Sequence, residues 1–177
     1  HQLYLAIPAY IQSAHQPASL LSSVFVITAL IGVVLQLSVT HWVKTKLGTP
    51  RAIGIGLACM GGSYVTMLCL AEMPVMAVTL QAVLFSFGSI LCYPLFSVRL
   101  PHYAGDGQLG SYYGFYASFG GCVALLSNIV VGRMLGNVGT KPPEILWYVL
   151  IGVGVLSGWL LYRQLLSEDK QYESRAG

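Results

Sequence analysis

The long apolar stretches of this chain contain few side chains able to do chemistry, and those few are uncharged. Between the ends of the stretches there is no Asp, Glu, Lys, Arg or His; Glu72, Arg99, Arg133 and His41 all stand at boundaries. An ionisable group in hydrocarbon is costly and so marks function. A proton-coupling residue, if the protein uses one, is therefore expected outside this chain. What remains is Tyr4, Gln36, Tyr93, Tyr112, Tyr116 and Asn128, which offer hydrogen bonds and aromatic walls to a small molecule but cannot by themselves break a bond. Gln36 and Asn128 could equally bond a neighbouring helix. Tyr112, Tyr116 and Phe119 could line a cavity, face lipid or fill a bundle.

Enzymatic motifs are missing. The sequence holds no HExxH, no GxSxG, no Walker glycine loop and no carboxylate pair within a stretch. Cys59, Cys69, Cys92 and Cys122 lie in apolar runs, form no CxxC pair and have no His at ligand spacing. They read as buried thiols, with no metal site and no cofactor expected.

The elements that must position the polar groups are membrane helices. The chain is 55% hydrophobic and 8% charged, with six acidic and nine basic residues in 177; mean hydropathy is +0.70. A soluble domain carries about 25% charge, so a lipid bilayer is the expected surrounding. Nothing suggests nucleic acid as a partner. Spans of about 20 residues are needed to cross, and they are expected at about 19–42, 52–71, 75–98, 111–132 and 145–166. Residues 1–11 are too short to span, open without a basic leader, and are expected to be the end of a truncated helix kinked at Pro8. Such a start implies a piece of a longer protein. Residues 167–177 are expected to form a polar, disordered tail.

Small residues supply contact faces. Gly54, Ala58 and Gly62 recur at spacings of four, as do Gly154 and Gly158. In GSYYGFYASFGGCVALLSNIVVGRMLG, the residues Gly114, Ser118, Gly121, Ala124, Asn128 and Gly132 share one side. Gly114, Gly121 and Gly132 are thus expected to let another helix approach closely. Lys44, Lys46, Arg51, Arg99, Arg163, Lys170 and Arg175 fall on one side of the membrane, and Arg133 and Lys141 on the other. The basic side is expected to be cytoplasmic, with the C-terminus there too.

Short loops, a basic turn after the second helix, Pro94 in the fourth and the glycine-rich fifth resemble the C-terminal half of a major facilitator superfamily transporter. Within that superfamily the chain is similar to the bacterial drug:proton antiporters, whose eleventh helix also opens Gly-Ser-aromatic and continues with repeated glycines. The basic turn departs from the family pattern: Lys46, Gly48 and Arg51 fit, but Thr45 stands at the acidic position, which puts a gating salt bridge in doubt.

The resemblance implies an all-α membrane protein, a six-helix half of a major facilitator bundle with its first helix truncated, occupying residues 1–166 ahead of the tail. It also implies an N-terminal half as partner, a substrate site between the halves, alternating access and residence in a bacterial inner membrane. Efflux of hydrophobic or drug-like molecules coupled to protons follows from the same likeness. The alternatives are uptake of a metabolite or sugar, which generally needs charged or multiply hydrogen-bonding groups, and a non-transporting membrane scaffold.

Overall fold

The computed structural model describes residues 5–17, 19–46, 48–103, 109–135 and 142–176. Their regular elements are all helices: α1 (Ala6–Ser13), α2 (Ser19–Lys46), α3 (Thr49–Gly62), α4 (Val65–Cys69), α5 (Pro74–Tyr103), α6 (Leu109–Leu135) and α7 (Glu144–Ala176). Five helical segments are long and apolar enough to cross a membrane, with α3 and α4 together forming one of them.

Two apolar clusters fix the two ends of the bundle. In the first, Ile7, Tyr10 and Ile11 of α1 meet Val24, Tyr64, Met67, Val78, Val131, Leu146 and Trp147. Trp147 is its centre, edge-on to Tyr10 at 5.8 Å and stacked on Tyr64 at 6.1 Å. In the second, Val43, Ala52, Ile53, Leu95 and Leu165 come together. The end of α2, the start of α3 and the later parts of α5 and α7 therefore share one side. This is the side on which the sequence clusters its basic residues.

Between these clusters α3 is the hub, and glycines set how close its neighbours come. Toward α7, a Cβ on Gly61 would stand 2.6 Å from the Gly154 Cα, and one on Gly158 2.8 Å from the Gly54 carbonyl oxygen. Toward α5, a Cβ on Gly56 would stand 2.8 Å from the Gly88 carbonyl oxygen. The thiols of Cys59 and Cys92 donate across this second crossing to the carbonyls of Leu84 and Ile53, each at 3.4 Å. Gly54, Gly154 and Gly158 thus sit in close helix contacts. Gly62 does not: nothing lies within 4 Å of its added Cβ, and Gly61 takes the contact expected of it.

The chain breaks between α3 and α4 for a local reason. Gly61 and Gly62 are poor helix formers, and the hydroxyls of Ser63 and Thr66 donate back to the carbonyls of Met60 (2.7 Å) and Ser63 (2.8 Å). Such back-bonding competes with the helical ladder. The amides of Tyr64 and Thr66 then bond only three residues back, to Gly61 and Ser63. Gly48 turns α2 into α3 with φ +76°, a left-handed conformation that suits glycine.

Several features differ from the sequence expectation. Helix α5 runs through Pro94 and on past residue 98 to Tyr103, enclosing Pro101. Helix α7 continues to Ala176 rather than ending in a disordered tail; residues 167–176 contain neither Pro nor Gly and are rich in helix-forming charged residues. Pro8 lies in the first turn of the described part of α1, where a missing N–H breaks no intrahelical bond and no kink is needed.

Candidate functional site

Two helices stand apart in how little they bury. The apolar windows of α2 and α6 are each 6% buried, against 50% for the α3–α4 segment and 44% for α5. An apolar helix that buries so little against its own bundle presents most of its side chains to lipid or to another part of the protein.

Gln36 is exposed on α2, Tyr93 on α5, and Tyr112, Tyr116 and Asn128 on α6. Tyr4 lies outside the described residues. Asn128 and Tyr93 each take part in an interaction, so neither side chain is free. The five candidates line none of the three described cavities. A site shared between two halves would look this way in one half, as open surface rather than as a pocket.

Helix α6 is secured near both ends. At its start, the Tyr113 hydroxyl donates to the Ser97 carbonyl at 3.3 Å. That carbonyl is available because Pro101, four residues later in α5, has no N–H to offer it. Tyr93 lies one turn before Ser97, Tyr112 immediately precedes Tyr113 and Tyr116 follows it by three residues, so each candidate tyrosine stands within about one helical turn of a partner in this link. Near its other end Val131 is buried in the cluster around Trp147. Between these anchors, an added Cβ on Gly114, Gly120 or Gly121 meets nothing within 4 Å, and the rings of Phe115 and Phe119 stack on each other at 6.3 Å while remaining exposed. Gly132 is open in the same sense. The glycine stripe therefore makes no close contact with the described residues of this chain.

Tyr113 is not one of the site candidates that the sequence offers. Its signal was there in Pro101, whose fixed offset from Ser97 predicts an orphaned carbonyl in need of a donor. Gln81, a polar residue in an apolar run, is not a site candidate from sequence either: it is wholly buried, its amide donates to the Ser63 hydroxyl at 3.5 Å, and its Oε1 has no partner among the described residues. Together with Ser63 and Thr66 it forms a polar cluster at the α3–α4 break. Among the described residues no group of three His, Cys, Asp or Glu could hold a metal ion.

Two curated proteins from two strains of Mycobacterium tuberculosis, both described as uncharacterized MFS-type transporters, one of them as putative, are each 26% identical to the chain over 166 residues. The chain is similar to MFS-type transporters. The match covers 88% of this chain but only 40% of each relative, so the chain spans well under half the length of the proteins it resembles. No protein-family model matches it, and no solved structure does so significantly. At family level the similarity supports the major facilitator superfamily, and with five apolar helices of spanning length it supports an integral membrane transporter.

Proposed function

We propose that this chain is the C-terminal half of a secondary active transporter that exports small hydrophobic or drug-like molecules. Export is coupled to protons through groups in an N-terminal half. The observation that carries the reading is the pair α2 and α6, each of spanning length and almost unburied, with Gln36, Tyr112, Tyr116 and Asn128 on their exposed surfaces. A second half seated against these helices would bury their apolar surface and enclose the uncharged polar groups. Rocking the halves about that seam gives alternating access. Gly114, Gly121 and Gly132 let the partner's backbone approach α6.

Aromatic and amide walls without charge suit hydrophobic substrates better than a sugar or a charged metabolite, whose desolvated polar groups need dedicated partners. The basic end of the bundle, with Lys46, Gly48 and Arg51 at the α2–α3 turn, faces the cytoplasm of a bacterial inner membrane. No catalytic role is assigned. The test is dye retention in cells that overproduce the intact protein. They should retain less of a hydrophobic fluorescent dye than control cells, a protonophore should abolish the difference, and Tyr116→Ala should weaken efflux several-fold with the amount of protein in the membrane unchanged. Uptake of a sugar or metabolite with no change in dye retention would instead support the uptake alternative.

A further inference from the structure

Away from α2 and α6, the crossing of α3 and α7 leaves a groove on the outside of the bundle. It exists because Gly54, Ala58 and Gly158 form the seam and have no side chains large enough to fill it. The groove has a volume of about 400 Å³ and is walled by Ile55, Val155 and Trp159, with Arg51 and Tyr162 toward one end. Both arginines belong to that end. Arg51 precedes Ala52 and Arg163 lies two residues before Leu165, and Ala52 and Leu165 are members of the same apolar cluster. The Arg163 guanidinium sits over the ring of Trp159, 5.0 Å from its centre, so the cation is held against a wall of the groove. Among the described residues neither guanidinium is paired with a carboxylate.

We propose that this groove binds an anionic phospholipid from the leaflet on the arginine side. The phosphate is held by Arg51 and Arg163, and an acyl chain lies along Ile55, Ala58 and Val155. A guanidinium fork matches phosphate oxygens and makes charge-assisted hydrogen bonds to them. Two cations that are unpaired with a carboxylate among the described residues favour a headgroup of net negative charge over a zwitterionic one, whose ammonium they repel. The apolar walls explain why the ligand is a lipid and not a free anion. Trp159 is suited to the headgroup boundary, where an amphipathic ring has one end dry and one end wet. The site lies on a different face from the transport surfaces and stands whatever the substrate is.

The test uses the intact protein in detergent, with equal amounts of phosphatidylglycerol and phosphatidylcholine of matched acyl chains, and native mass spectrometry to count retained lipid. Wild type should retain phosphatidylglycerol in preference by about fivefold or more, since each basic residue near a headgroup contributes on that scale. In the double variant Arg51→Ala, Arg163→Ala the preference should vanish with phosphatidylcholine retention unchanged. Ile55→Trp, on the exposed wall, should fill the groove and remove the preference with both arginines present, which separates a built site from general surface charge and decides the matter if the arginine variant fails to fold. Equal retention of the two lipids by wild type, or an undiminished preference in either variant, would overturn the proposal.

Discussion

Replacing Gly61 with Val should abolish the folded protein, while the same change at Gly62 should leave it folded. A side chain at Gly61 is driven into the backbone of α7, with its Cβ 2.6 Å from the Gly154 Cα and 3.1 Å from the Ile151 carbonyl oxygen. Backbone cannot swing aside as a flexible side chain can, so α3 and α7 must part. Overpacking of a tight contact costs about 1–3 kcal/mol and more when backbone is the obstacle, and here the crossing joins the hub helix to its neighbour. At Gly62 an added Cβ meets nothing within 4 Å, and valine costs little beyond a small change in helix propensity. The readout is the yield and melting temperature of purified intact protein for the two variants. Equal loss at both positions would contradict the α3–α7 register.

The second large effect concerns α6. Gly121→Leu should abolish transport yet lower the melting temperature far less than Gly61→Val does. Within this chain's described residues the position is open, so leucine has nothing here to strike. In the intact transporter we expect another helix to lie against Gly114, Gly121 and Gly132, and leucine would then hold the halves apart. Normal transport by Gly121→Leu would remove the glycine stripe from the interface between halves.

These two glycines also show how far the sequence could be read. The small-residue spacing at Gly54, Ala58 and Gly62 pointed to a contact face on α3, and that face exists. Its far end lies at Gly61 because two turns of a 3.6-residue helix return to the same side after seven residues, with a drift of about 20°, rather than after eight. The same sequence rule marked α6, but there the partner is not among the described residues. A pattern can identify a contact face without saying what will cover it. The five spanning segments were legible from hydropathy, since their apolar runs are long and their charges sit at the ends. The helical course of residues 167–176 was not, because polarity says a segment leaves the membrane and does not say that it uncoils. The Tyr113 link to Ser97 depends on which tyrosine of a Tyr-Tyr pair faces α5, and periodicity does not settle that. Gln81 was visible as a polar residue in an apolar run, but only the fold turns it inward onto Ser63 at the α3–α4 break. The glycine pair Gly56 and Gly88 needed the α3–α5 register before its role could be seen.

The central claim is that this chain works as one half of a proton-driven exporter. It is tested most directly by reconstituting the intact protein into liposomes, imposing a pH gradient and following a hydrophobic dye. The account predicts dye movement against its own gradient, in the direction opposite to the proton flow, which stops when the pH gradient is collapsed. It also predicts that the movement survives when His41 or Asp106 is neutralised, because His41 lies beyond the apolar spanning stretch Ser19–Val39, Asp106 falls in sequence between the spans expected at 75–98 and 111–132, and the coupling group is expected in the other half. No gradient-driven movement by folded protein, or loss of coupling in His41→Ala or Asp106→Asn with dye binding intact, would contradict it.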